Sequence, residues 1–248
     1  MSAPRTAPKT AMVLAAGMGT RMRPLTDNCP KPLISVGGKA LIDHLLDRLV
    51  AAGVERAVVN VHAHADMMEA HVRKRRDLDV LISDERAKLL ETGGAIKKAR
   101  ALLGEEPIWT ANTDYIWLEE GGGALDLVKR TWDPARMDVV MIVIPKARTS
   151  GFETPGDFFS DDNGVLTFRG DAPEAPLHCF GVGIIDPSIL YAWPEEKFST
   201  KFSLWLPACD QKRMYGVQPG GFWMQIGDPE AKVFAEARLA QSVGAALS

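Results

Sequence analysis

Along the first 145 residues, short apolar runs alternate with stretches whose apolar residues recur at helical spacing. The pattern predicts strands over 11–16, 57–61, 80–83, 107–112 and 139–144, and helices over 40–52, 65–75, 92–103 and 125–132. In the 40–52 segment Leu41, Leu45 and Leu49, with Ile42 and Leu46 beside them, form one apolar stripe that Gly53 ends. Strand–helix alternation predicts a parallel sheet covered on both faces. After residue 150 the rhythm changes. Residues 151–183 read as antiparallel pieces, with Asp162-Asn163-Gly164 as a hairpin turn between Phe158-Phe159 and 165–168, and a last helix is predicted over 229–247. The expectation is an α/β fold with a Rossmann-like mixed, mainly parallel sheet flanked by helices. One domain spans 11–248 behind a loose tail at 1–10, with 11–145 and 146–248 as its two halves.

Composition narrows the class without naming a chemistry. With 46% hydrophobic residues and a net charge of -3, the chain can bury a large core. Its charges are scattered, so no basic field supports a nucleic-acid partner. Cys29, Cys179 and Cys209 are far apart and form no CxxC pair, which indicates neither a disulfide framework nor a zinc site and suits a reducing cytoplasm. No apolar run approaches the roughly 20 residues of a membrane span, and residues 1–10 lack the apolar core of a signal peptide. The oligomeric state is not readable.

The chemistry concentrates after the first strand. Ala15-Ala16-Gly17-Met18-Gly19-Thr20-Arg21-Met22-Arg23-Pro24 places a glycine-rich turn at a strand's carboxyl end, where backbone N–H groups can face a phosphate. No Gly-Lys-Ser/Thr follows, so it is not a P-loop. Pro24 forbids helix at that point, so the chain is expected to stay extended around the ligand. Arg21, Arg23 and Lys31, the last held between Pro30 and Pro32, add cations suited to a polyphosphate. A solvated Gly/Pro loop with surface charges is the plainer alternative.

That stretch, with Leu25-Thr26 and Pro30-Lys31-Pro32-Leu33 after it, closely resembles the N-terminal signature of the sugar-1-phosphate nucleotidyltransferases, which have the nucleotide-diphospho-sugar transferase fold. The resemblance continues in order through Leu90-Glu91-Thr92-Gly93-Gly94, Asn112-Thr113-Asp114, Gly156-Asp157-Phe158 and Trp223-Met224-Gln225-Ile226-Gly227-Asp228-Pro229. It implies an enzyme that joins a nucleoside triphosphate to a sugar 1-phosphate with Mg²⁺ and releases pyrophosphate. Within the family it leans toward the branch that uridylylates N-acetylmuramate 1-phosphate in peptidoglycan recycling, while guanylyltransferases acting on mannose 1-phosphate share the same opening.

By this resemblance Ala15, Ala16, Gly17, Gly19, Thr20 and Arg21 cradle the triphosphate and Lys31 contacts it. Thr92 and Gly93 lie against the nucleoside, Asn112 contacts the nucleotide, and Asp114 binds the metal. Arg21, Lys31 and Asp114 are the candidate catalytic residues; Gly156 and Asp157 are the candidate sugar contacts. The residues alone leave alternatives. Asp114 could be a turn former at a strand end, Thr92 a helix N-cap, and Asp157 the start of a strand. His62, His64 and His71 lack the companions of a metal site and receive no catalytic role.

A sugar phosphate is largely a dianion at neutral pH, so it needs alignment and charge neutralisation rather than a general base. The main departure from the family pattern is Gln225, which stands where the resemblance puts a second metal-binding aspartate. A glutamine offers a carbonyl oxygen but no charge. This leaves a weakly ligated metal, ligation completed by water and phosphate, or a non-catalytic binder of nucleotide or sugar phosphate. A nucleotide-sugar glycosyltransferase is disfavoured because Asn112-Thr113-Asp114 lacks the Asp-x-Asp pair. The cation for the sugar phosphate is unassigned, with Lys146, Arg148 and Lys201 as candidates and surface charges as their plainer reading; a muramate-type sugar carries a lactyl carboxylate and calls for a further cation, which the sequence does not identify.

Overall fold

A computed structural model describes residues 7–246. Residues 1–6 of the expected tail, and Leu247 of the last predicted helix, lie outside the described residues. Pro8 and Lys9 are tied to the sheet rather than loose. The Pro8 carbonyl accepts from Trp109 Nε1 at 3.0 Å, and the Lys9 carbonyl accepts from the Glu55 amide at 2.8 Å.

The first half runs β1 (Thr10–Leu14), a small hairpin of β2 (Ser35–Val36) and β3 (Lys39–Ala40), α1 (Leu41–Ala51), β4 (Arg56–Val61), α2 (Ala65–Val72), β5 (Asp79–Asp84), α3 (Glu91–Lys98), α4 (Arg100–Leu103) and β6 (Ile108–Asn112). The single helix expected over 92–103 is two, because the chain tightens at Ala99, whose carbonyl accepts from the Leu102 amide at 2.8 Å. The second half adds β7 (Tyr115–Leu118), α5 (Ala124–Thr131), β8 (Val139–Pro145), β9 (Thr149–Ser150), β10 (Phe158–Ser160), β11 (Leu166–Phe168), β12 (Leu177–Ile185) and α6 (Ser188–Ala192). A π-helical turn (Lys201–Trp205), α7 (Leu206–Asp210), β13 (Met214–Val217), β14 (Phe222–Gln225) and α8 (Pro229–Ala246) complete it. Asp228 caps α8 as its place before Pro229 suggests, its Oδ1 accepting from the Ala231 amide at 2.8 Å.

The main sheet is ordered β13-β8-β12-β6-β1-β4-β5. Its neighbours are parallel except at β12, which is antiparallel to both β6 and β8. The β10–β11 hairpin joins the start of β12, and its turn is closed as expected: Asp161 Oδ1 accepts from the Asn163 and Val165 amides at 2.9 and 2.8 Å. Alternation along β1 sends Ala11 and Val13 into the core beneath α1, and Met12 into the core against Ala95 and Ile96 of α3. Strands buried on both faces explain the near-continuous apolar runs, of which Val139 to Ile144 is the clearest. Chain order reverses at β1, with β4 and β5 on one side and β6 on the other. The carboxyl ends of β1 and β6 therefore border the crevice where open α/β sheets bind ligands.

A second sheet, with β7 antiparallel and β9 parallel to β14, folds against this one. Trp117 and Trp223 stack with centroids 5.1 Å apart, and Phe180 meets Trp223 edge-on at 4.4 Å. His178 is 5% exposed in the adjoining layer, its ring 4.5 Å from that of Phe152 and its Nε2 3.1 Å from the Thr154 carbonyl. Burial holds its pKa below the usual 6.5. The unfolded chain therefore binds this proton more readily, so the fold loses stability as pH falls through 6.5 toward the depressed native value. Urea midpoints are expected to decline between about pH 7 and about pH 5, and part of that decline should vanish in His178→Gln.

Candidate active site

Two clefts open side by side at the carboxyl end of the central strands. The first, about 400 Å³, is lined by the loop that follows β1, from Leu14 to Arg21, and by Lys31, Asn60, Glu91, Thr92, Asn112 and Asp114. The second, about 270 Å³, is lined by Tyr115, Phe152, Asp157, Phe168, Lys201 and Gln225 among others. Arg21 and Asn112 line both, so a molecule in one cleft meets a molecule in the other at these two residues.

The loop itself is not extended as expected. Thr20–Met22 forms a 3-10 turn in which the Met22 amide donates to the Gly19 carbonyl at 3.0 Å; Pro24 lies beyond it and does not prevent it. Gly19 has a φ of 61°, and a Cβ there would lie 3.0 Å from both Lys31 Cβ and Thr26 Cγ2. Its glycine is thus required by the fold. Gly17 is different: nothing lies within 4 Å of a Cβ built on it. Gly17 borders the cleft, so the empty space beside it opens into that cleft. Gly17→Ala is expected to leave the urea midpoint unchanged and to raise KM for the nucleotide about 10-fold by obstructing backbone approach to phosphate.

Lys31 and Asp114 are brought together, Nζ lying 2.8 Å from Oδ2, with the two side chains only 13% and 21% exposed. Lys31 sits in a short 3-10 turn after Pro30. Asp114 follows β6, and its carbonyl accepts from the Ile226 amide at 2.8 Å. Arg21 pairs with Glu153 across the mouth of the second cleft. Behind the loop, the Ala15 amide donates to Asn60 Oδ1 at 2.7 Å, and Asn60 Nδ2 to the buried Glu85 at 2.8 Å, whose other oxygen accepts from the Leu90 amide at 3.1 Å. This chain of bonds fixes the start of the loop to the end of α3's leading segment.

Thr92 lines the first cleft, though not as an N-cap. The helix already begins at Glu91, and the Thr92 hydroxyl lies 2.9 Å from that of Thr200 and accepts from the Thr200 amide at 2.9 Å. Gly93 is not brought to the cleft: its amide donates to the Phe198 carbonyl at 2.9 Å, and a Cβ would overlap the Phe198 ring. In the second cleft Asp157 is a lining residue, with Oδ2 accepting from the Cys179 amide at 2.8 Å. Gly156 stands behind it, its carbonyl accepting from Arg169 Nε at 3.0 Å and its Cα pressed on the Ala175 carbonyl. Gln225 lies beside Tyr115 in register, its Nε2 3.4 Å from the Tyr115 hydroxyl. Tyr115 is buried, and desolvation with the nearby Asp114 charge holds its pKa well above the phenolic value.

Sequence reasoning missed several cleft residues. Asn60 is the one polar residue inside the apolar run from Ala57 to Val61, a signal that was available. Glu91 lines the first cleft with a φ of 62°, a conformation that favours glycine, and nothing local in the sequence marks it. Tyr115 reaches the second cleft only through a pairing that is long-range in sequence, whereas Lys201, a candidate cation in the sequence, does line that cleft. His62 and His71 are engaged locally, His62 Nδ1 lying 2.7 Å from the Glu85 carbonyl and His71 Nε2 2.8 Å from Asp43.

Among the described residues, no group of three or more His, Cys, Asp or Glu side chains makes a ready metal cage. Mg²⁺ does not require one, since it commonly takes one or two protein ligands and completes its shell with phosphate oxygens and water. Asp114, largely buried yet facing the cleft beside the glycine loop, suits that mode. Strand pairing sets Gln225 opposite Tyr115, the residue after Asp114, but its side chain lines the second cleft while Asp114 lines the first. Asp114 alone thus fits the protein share of one divalent ion held jointly with a bound polyphosphate.

The fold and the paired clefts are those of a nucleotide-transferring enzyme. The Nucleotidyl transferase family pattern matches residues 10–152, more than half of the chain, and the chain belongs to this family. It is 52% identical over 240 residues to N-acetylmuramate alpha-1-phosphate uridylyltransferase of Caulobacter vibrioides, a match covering 95% of this chain and 99% of that protein. It is 27% identical over 236 residues to mannose-1-phosphate guanylyltransferase catalytic subunit beta of Drosophila pseudoobscura pseudoobscura, covering 89% of this chain and 59% of that one. UDP-glucose pyrophosphorylase complexed with UDP-glucose shares the fold, with a TM-score of 0.74 at 19% identity over 94% of this chain and 99% of that one. So does HddC from Yersinia pseudotuberculosis complexed with GMP-PN, with a TM-score of 0.73 at 21% identity over 94% and 100%. The family and sheet expected from the motifs are therefore the ones found. No helix among the described residues is long and apolar enough to cross a membrane.

Proposed function

We propose that this chain transfers the uridylyl group of UTP to N-acetylmuramate 1-phosphate, giving the UDP-sugar and pyrophosphate, in the cytoplasm and with Mg²⁺. The observation that carries this reading is the meeting of two clefts at Arg21 and Asn112, one bordered by a glycine loop and the other by polar and aromatic side chains. The choice of base and sugar rests on the relative that is 52% identical along almost its whole length.

In this reading UTP occupies the first cleft, its phosphates against the amides of Ala15, Ala16, Gly17, Gly19 and Thr20, with Asn112 on the nucleotide. Thr92 and Gly93 form and brace the nucleoside side of the wall. The sugar occupies the second cleft against Asp157, with Gly156 holding that segment in place. An oxygen of the sugar phosphate dianion attacks the α-phosphorus, and the bond from that phosphorus to the oxygen bridging to the β-phosphate breaks. Pyrophosphate leaves with that electron pair, and no proton need move in the attack. Arg21, at the junction, exchanges its contact with Glu153 for the phosphates of both substrates. Lys31 neutralises charge on the triphosphate, and Asp114 orients it while holding the metal with Gln225 as a neutral neighbour. Mg²⁺, when bound, supplies charge neutralisation of the triphosphate and the departing pyrophosphate.

The test is pyrophosphate release with Mg²⁺ over a grid of UTP, GTP, dTTP, CTP and ATP against N-acetylmuramate, N-acetylglucosamine, glucose and mannose 1-phosphates. Release dependent on UTP and N-acetylmuramate 1-phosphate upholds the reading. Release with GTP and mannose 1-phosphate replaces it with the guanylyltransferase reaction. Nucleotide binding with no release from any pair makes Gln225 the mark of a non-catalytic binder.

A further inference from the structure

The second cleft contains a cation with no anion beside it. Lys201 lines this cleft with a half-buried side chain, and its ammonium forms no ion pair among the described residues. The ammonium lies 4.4 Å from the centroid of the Phe168 ring, an attraction that holds its position without neutralising its charge. The other candidate cations are committed elsewhere: Lys146 pairs with Glu174 at 2.8 Å, and Arg148 Nη1 donates to the Pro219 carbonyl at 3.2 Å. Neither lines the first or the second cleft.

The backbone that presents Lys201 is unusual and well anchored. Lys201 opens the π-helical turn, whose last residue, Trp205, also lines the cleft. Thr200, just before it, is bonded to Thr92 in the wall of the first cleft. The ammonium is thereby fixed relative to the nucleotide side and partly stripped of water, a setting that favours an arriving anion.

That anion is not the reacting phosphate. The phosphate must lie where the clefts join, at Arg21 and Asn112, and Lys201 lines the second cleft alone. The cleft also carries the carboxylates of Asp157 and Glu153, so a sugar with a second negative group would be repelled there without a cation of its own. We propose that Lys201 recognises a carboxylate carried by the acceptor sugar, distinct from its phosphate. With the acceptor proposed above, on which this inference rests, the group is the lactyl carboxylate.

N-Acetylmuramate 1-phosphate and N-acetylglucosamine 1-phosphate differ by that lactyl group, so the pair isolates the contact. Each is titrated calorimetrically into the protein held with Mg²⁺ and a non-cleavable UTP analogue, for the unsubstituted chain, Lys201→Met and Lys201→Arg. The unsubstituted protein should bind the carboxylated acceptor more tightly. Lys201→Met should weaken that acceptor roughly 10- to 100-fold and leave the other within about 2-fold, and Lys201→Arg should restore most of the difference. Equal loss for both acceptors would assign Lys201 to the phosphate or to folding, and equal binding of both by the unsubstituted protein, including none of either, overturns the proposal. Because binding is read, a protein that discriminates the acceptors but releases no pyrophosphate overturns the proposed reaction and leaves this inference standing.

Discussion

Asp114→Asn is expected to lower kcat roughly 1000-fold with UTP and Mg²⁺, while UTP binding stays the same or tightens. The substitution keeps the side chain's shape and leaves the backbone bond from the Ile226 amide untouched. It removes one negative charge at the point where the glycine loop, Lys31 and the junction of the clefts converge. Lys31 Nζ, 2.8 Å from Asp114 Oδ2, then faces no carboxylate and is freer to bind the triphosphate, which explains ground-state binding that does not suffer. The asparagine oxygen can still accept from that ammonium, so stability should fall by only about 1 kcal/mol. Loss in kcat with KM for UTP unchanged or lower is the signature of a group needed in the transition state. Stopped-time assays of pyrophosphate release, with nucleotide binding measured separately, test it; activity within about 10-fold of the unsubstituted enzyme would remove Asp114 from the metal and phosphate chemistry.

The same residues show what sequence could and could not carry. The strands of the first half were legible because most of their residues are apolar, buried on both faces in β1, β4, β6 and β8 and less so in the edge strand β5, and the glycine loop because it follows one of them directly. The β7–β14 sheet was not, since Tyr115–Leu118 has meaning as a strand only once Phe222–Gln225 lies beside it. Glycine motifs carried half of their message. A glycine says that another group must come close, but not which. At Gly17 the space is open cleft, whereas at Gly93 it is filled by Phe198 and at Gly156 by Ala175. Lys201 illustrates the complementary limit. Its charge was visible, but its lack of an ion pair among the described residues and its ring neighbour depend on a π-helical turn and on a strand thirty-odd residues earlier in the chain.

Gly181→Ala is expected to have the second-largest effect, although the residue belongs to no motif. The register of β12 against β8 breaks between Cys179 and Gly183, and Gly181 sits within that bulge with a φ of 64°. A Cβ there would overlap the Asn112 amide nitrogen and come within 3.1 Å of Tyr115 Cε2. The left-handed conformation and the overlap together should destabilise the fold on the order of 2–4 kcal/mol. Asn112 is one of the two residues shared by both clefts, and beside Gly181 it adjoins Tyr115, whose hydroxyl lies 3.4 Å from Gln225 Nε2. Any escape of the Asn112 side chain from the added methyl therefore misaligns the point where the two substrates meet, and kcat/KM should fall more than about 10-fold even at temperatures where the variant is folded. A double-mutant cycle separates the two consequences. Shortening the neighbour in Asn112→Ser relieves the overlap, so Gly181→Ala should cost at least about 1 kcal/mol less stability in that background, while activity stays low because the shared amide is gone. Strictly additive stability losses would mean that the methyl group lands on something other than Asn112, and that the bulge shapes the second cleft by backbone strain alone.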